Sequence, residues 1–115
     1  MSSPRPVDLE HLARYTGGDA GVNAEILTLF ANQSADLLHQ LDSALSKNDS
    51  KTWRDISHSL KGGARGIGAF EMADTAARLE TTDPARDAAV AARALHDLKS
   101  RTLAVTLFIE TYVGR

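Results

Sequence analysis

Apolar residues return along this chain at steps of three, four and seven, the spacing that gathers them on one side of an α-helix. A stripe of Val22, Ile26, Phe30, Leu37, Leu41 and Leu45 predicts a long helix over 19–46, with Asp19 as its N-cap. Leu27, Leu38 and Leu45 form a second stripe beside it, expected to pack against neighbouring helices. After the polar turn Lys47-Asn48-Asp49-Ser50, in which Asp49 or Ser50 can start a helix, Trp53, Ile56, Leu60, Ala64 and Ile67 predict a helix over 51–67. Ala69, Met72, Ala76 and Leu79 predict another over 69–81. Asp83-Pro84 reads as a capping residue followed by proline at the first helical position, which opens a last helix over 84–112 with Leu95, Leu98, Thr102, Val105, Ile109 and Tyr112 inside. Near the start, Asp8 caps a short helix to about Tyr15 that stops at Gly17-Gly18. Nothing alternates with the period of two that a strand requires. The expected architecture is all-α, an antiparallel up-and-down four-helix bundle with a short N-terminal lid helix. Residues 1–7 are expected to be a flexible arm and 8–115 one domain.

Composition narrows the class without changing that picture. The 115 residues suit a single core, and 43% of them are hydrophobic, too many for a disordered chain. With no cysteine there is neither a disulfide framework nor a thiolate metal site. A net charge of −2 argues against a general nucleic-acid binder. Met1 to Pro6 lacks the apolar stretch of a secretory signal, and no segment reaches membrane-spanning length, so a cytoplasmic location is expected. The two ends read as those of a free-standing protein.

The candidate chemistry lies on the third helix. At about 100° per residue, its apolar residues fall in one arc and His58 points about 160° from the centre of that arc. A histidine so placed is displayed to solvent, among Arg54, Asp55, Lys61, Gly62 and Arg65. An exposed imidazole titrates near neutrality, so much of it is neutral and nucleophilic. Attack on phosphorus is governed by positioning and charge stabilisation, which Lys61 can supply one turn away. Gly62 and Gly66, one and two turns on, leave the approach to the ring bare, although each helical glycine costs on the order of 1 kcal/mol relative to alanine. The glycines fit neither a phosphate loop, which needs Lys-Ser/Thr after the last glycine, nor a dinucleotide fingerprint, which needs a preceding strand. His11, His39 and His96 read as surface residues with no metal-ligand spacing.

The run His58-Ser-Leu-Lys61-Gly62-Gly-Ala-Arg-Gly-Ile-Gly68-Ala, followed by Leu79-Glu80, closely resembles the signature of histidine phosphotransfer (HPt) domains: His-x-Leu-Lys-Gly, then Gly-Ala, then a helix ending in Leu-Glu. The resemblance is strong over about thirty residues and looser over the flanking helices. It implies a four-helix bundle with an exposed phosphoacceptor. By the same resemblance His58 is that acceptor, Lys61 the supporting cation and Gly62 the clearance position. Gly63 and Gly66 depart from it, standing where many members have Ser and Asn.

What the resemblance implies is a phosphocarrier of two-component signalling. It would take a phosphoryl group from a receiver-domain aspartate, as in a hybrid histidine kinase, and pass it to another response regulator. The receiver would bring the Mg²⁺, so no cofactor is expected here, and there is no nucleotide motif for kinase activity. Arg54, Asp55, Arg65 and Gly66, with Leu38 as part of an apolar patch, are the expected receiver contacts. Two rival readings are a non-catalytic receiver-binding adaptor and a phosphohistidine phosphatase using Asp55. The intact His58, Lys61 and Gly62 count against the adaptor. Monomer is the default state, with the apolar flank of the long helix leaving dimerisation open.

Overall fold

The computed structural model describes residues 5–114, all of whose regular structure is helical. Five helices run in order: α1 Leu9–Thr16, α2 Ala20–Lys47, α3 Ser50–Gly66, α4 Phe70–Glu80 and α5 Ala88–Val113. The carboxylates of Asp8, Asp19, Asp49 and Asp87 accept from backbone N–H groups of the first turns of α1, α2, α3 and α5, which would otherwise be unpaired. Helix α2 stops where Asn48 takes a left-handed conformation, the usual way to release a helix C-terminus.

Short turns force α2 to α5 into an antiparallel bundle, packed in the cyclic order α2–α3–α4–α5. Trp53, Leu27, Leu41, Leu60, Met72, Leu79 and Leu98 fill its centre. Helix α1 closes the end at which α3 turns into α4. There the Asp8 N–H donates to the Gly68 carbonyl at 2.9 Å and Leu12 is buried. Gly68 has φ +83°, and a Cβ on it would lie 2.5 Å from the Asp8 carbonyl oxygen, so this junction requires glycine.

Three expectations are corrected. Asp83 does not start the last helix. Its carboxylate is taken by the Ser50 hydroxyl and the Ala85 N–H, so residues 83–87 form a separate turn on buried Pro84, and α5 begins at Ala88 under an Asp87 cap. The buried face of α2 is rotated from the apolar stripe: Val22 is exposed, while Asn23, Leu27 and Ser34 point inward. Two polar residues on that face hid it from a pattern of apolar positions. Asn23 is accommodated because its amide donates to the Tyr112 hydroxyl and its oxygen accepts from Thr16 beneath α1. Val7, assigned to the flexible arm, is fully buried; residues 1–4 of that arm lie outside the described residues.

Candidate functional site

His58 stands at mid-length on α3 with its side chain 68% exposed, on the solvent side that the helical wheel predicts. Because α4 runs back along α3 for only eleven residues, its last residue, Glu80, arrives level with the histidine. Glu80 Oε2 lies 2.9 Å from His58 Nδ1, and Glu80 Oε1 accepts from Lys61 Nζ at 2.6 Å. One carboxylate therefore bridges the two residues singled out on α3. Nε2, on the other side of the ring, has no partner among the described residues.

The bridge is held from below. Trp53, buried at the level of the end of α4, donates from Nε1 to the Leu79 carbonyl at 3.0 Å. The Thr82 hydroxyl donates to the same carbonyl at 2.8 Å. These contacts fix the backbone next to Glu80 and hence the aim of its side chain. A carboxylate at a helix C-terminus opposes the helix dipole. Here the Lys61 ammonium first, and then the His58 ring, stabilise the charged form and hold the Glu80 carboxyl below the usual glutamate range. Both Lys61 and Glu80 are only about one-fifth exposed (21% and 22%), so their mobility is restricted.

The remaining residues divide between this site and other surfaces. Arg54, Asp55, His58, Ser59 and Glu80 line a shallow open depression of about 450 Å³. Asp55 shares that depression, and its carboxylate is bound by Lys51 Nζ at 2.7 Å, whose ammonium holds it below the usual aspartate range. Arg54 and Arg65 are exposed and have no ion-pair partner among the described residues. A Cβ at Gly62 or Gly66 would meet nothing within 4 Å, so neither glycine is required by packing. Gly63 differs, because a Cβ there would come 3.1 Å from the Phe30 ring on α2. Leu38 is not brought to this site; it lines the groove between α2 and α5. Of the other histidines, His39 and His96 are exposed as expected, whereas His11 is half-buried edge-on to Tyr15 and Phe70.

Glu80 is the site residue that sequence reasoning missed. Its signal was present in the Leu79-Glu80 end of the motif, but only the antiparallel return of α4 shows which residues it meets.

Comparisons with known proteins bear on the family and the fold. The family model described as the Hpt domain matches residues 25–104, a span that includes His58, Lys61, Gly62 and Glu80. The crystal structure of histidine-containing phosphotransfer protein B (HptB) from Pseudomonas aeruginosa PAO1 is similar to the chain at 25% identity and a TM-score of 0.85. That match covers 99% of this chain and 98% of the other. No curated protein sequence matches it.

Proposed function

The chain belongs to the Hpt domain family, and we propose that His58 is the residue on which it carries phosphate between receiver domains. The observation that carries this reading is the exposed imidazole whose Nδ1 is engaged by Glu80 while Nε2 is free.

With Glu80 ionised, the neutral ring is favoured as the tautomer that donates from Nδ1–H, leaving the Nε2 lone pair outward. A receiver docks on this face with a phosphorylated aspartate. Nε2 attacks phosphorus in line, the bond from phosphorus to the aspartyl oxygen breaks, and the aspartate carboxylate leaves with the electron pair. The ring becomes a cationic phosphoimidazole that keeps its Nδ1 proton, and Glu80 stabilises that positive charge. Lys61 supports the phosphoryl oxygens, and Gly62 and Gly66 leave backbone exposed where the receiver approaches. Arg54 and Arg65 complement the acidic pocket of a receiver and speed encounter. The Mg²⁺ belongs to the receiver. Transfer to a second receiver is the reverse attack, by its aspartate on the phosphohistidine.

The test is incubation with a phosphorylated receiver, wild type beside His58→Gln. Acid-labile, base-stable label on the wild type alone is expected. Full labelling of His58→Gln would overturn the assignment. Binding without any label would leave a receiver adaptor.

A further inference from the structure

On the side of the bundle away from the α3–α4 pair, α2 and α5 leave an open groove of about 670 Å³. On the α2 wall the small Ala31 and Ala35 alternate with the polar Thr28 and Asn32, and the apolar rim of the groove is Leu38 and Leu103. Leu103 is 58% exposed, a large apolar side chain standing over a groove it does not fill. Two charges mark the α5 wall, Lys99 towards one end and Glu110 towards the other.

Their spacing is what identifies an occupant. Eleven residues advance a helix by about 16 Å and bring the side chain back to within about 20° of the same direction. Lys99 and Glu110 therefore lie on one line along α5, opposite in sign at its two ends. A second copy placed antiparallel about a twofold axis midway between them sets Lys99 of each copy against Glu110 of the other, twice. Asp42 binds Lys99 Nζ at 2.7 Å and Asn23 binds the Tyr112 hydroxyl at 3.2 Å, and these two contacts together put Ala31 and Asn32 level with Thr106. The same twofold axis carries Leu103 of the second copy to the level of Thr106, where Ala31 gives the α2 wall its small side chain. Lys99 retains donors for both Asp42 and the incoming carboxylate. Glu110 has no ion-pair partner among the described residues. Apolar fit and charge register thus agree on one arrangement.

We infer that this groove is a self-association surface, in which a second copy of the chain inserts Leu103 and pairs Lys99 with Glu110. The helix pair used is opposite α3–α4, so both His58 faces stay open in the dimer. The inference does not depend on the phosphocarrier reading.

Sedimentation velocity from about 10 µM to about 500 µM covers the range in which an interface at the small end of the stable class associates. The wild type is expected to pass from monomer to dimer over that range. Glu110→Lys, an exposed change, is expected to weaken dimerisation at least tenfold by setting like charges together. The double variant Lys99→Glu with Glu110→Lys is expected to recover most of the loss, because the cross-copy pairs re-form with signs exchanged. A wild type monomeric throughout overturns the inference and leaves the groove to a helix of another protein. A Glu110→Lys dimer as tight as the wild type overturns the proposed register, and Leu103→Ser then tells whether the groove is used at all.

Discussion

Gly62 separates clearance from packing, because the two roles predict opposite signs for stability and activity. A Cβ at this position would meet no atom within 4 Å, and the residue is exposed inside α3. Alanine there removes backbone freedom from the unfolded chain and adds no clash, so Gly62→Ala is expected to stabilise the fold by about 1 kcal/mol. For a domain of this size that raises Tm by about 4 °C, or moves the urea midpoint up with unchanged slope. Leucine, nearly as good a helix former, should also stabilise. Transfer from a phospho-receiver should move the other way. A displacement of about 1 Å between reacting atoms costs on the order of a hundredfold, so Gly62→Leu is expected to lose about that much and Gly62→Ala several-fold. The measurements are urea unfolding by circular dichroism and single-turnover transfer monitored by radiolabel. If Gly62→Leu is more stable and transfers at the wild-type rate, clearance is the wrong account of this glycine. If both variants are destabilised, the open surroundings have been misjudged.

Three further outcomes follow from the same geometry. Glu80→Gln keeps the size of the side chain but loses the charge facing the imidazolium, so transfer is expected to fall on the order of ten- to a hundredfold with helicity unchanged, as for other carboxylates that orient a histidine; an undiminished rate would remove Glu80 from the site. Because the Glu80 pKa is lowered on folding, its contribution to stability is complete above the ordinary value of 4.5 and is lost only as pH falls through the lower folded value. Its carboxyl carbon resonance should therefore titrate below pH 4.5, and Lys61→Met should move that midpoint up, since Lys61 is the larger cause; a midpoint at or above 4.5 in the wild type contradicts the bridge. Gly68→Ala combines a left-handed backbone with a Cβ pressed on the Asp8 carbonyl and endangers the Asp8–Gly68 hydrogen bond. A loss of about 3 kcal/mol is expected, with α1 released, read from urea unfolding and from the amide exchange of Val7 and Leu12; a loss under about 1 kcal/mol means that the junction yields cheaply.

Much of this protein was determined by local rules that a sequence carries openly. A bundle helix must show its core with a period near 3.6, so the five helices and the outward direction of His58 were legible, and the three-residue step from His58 to Lys61 places them on adjacent turns. Caps are local as well, which is why Asp8 and Asp19 were found and Asp49 was one of two candidates. The failures were decisions made between elements. Asp83 reads as a cap until Ser50, far away in the chain, takes its carboxylate. Asn23 looks like a surface residue until Thr16 of α1 and Tyr112 of α5 close over it, and Ser34 until the bundle buries it. Leu38 could have lain beside His58 or away from it, and only the order of the helices around the bundle put it in the α2–α5 groove. The site was divided in the same way. The sequence contains the nucleophile and its cation on one helix, but the carboxylate that orients one and holds the other comes from the end of a different helix. Its position depends on the length of α4, the tightness of the Gly68 turn and the Trp53 contact to Leu79. Those are long-range packing terms, and a sequence states a residue's neighbours along the chain, not across it.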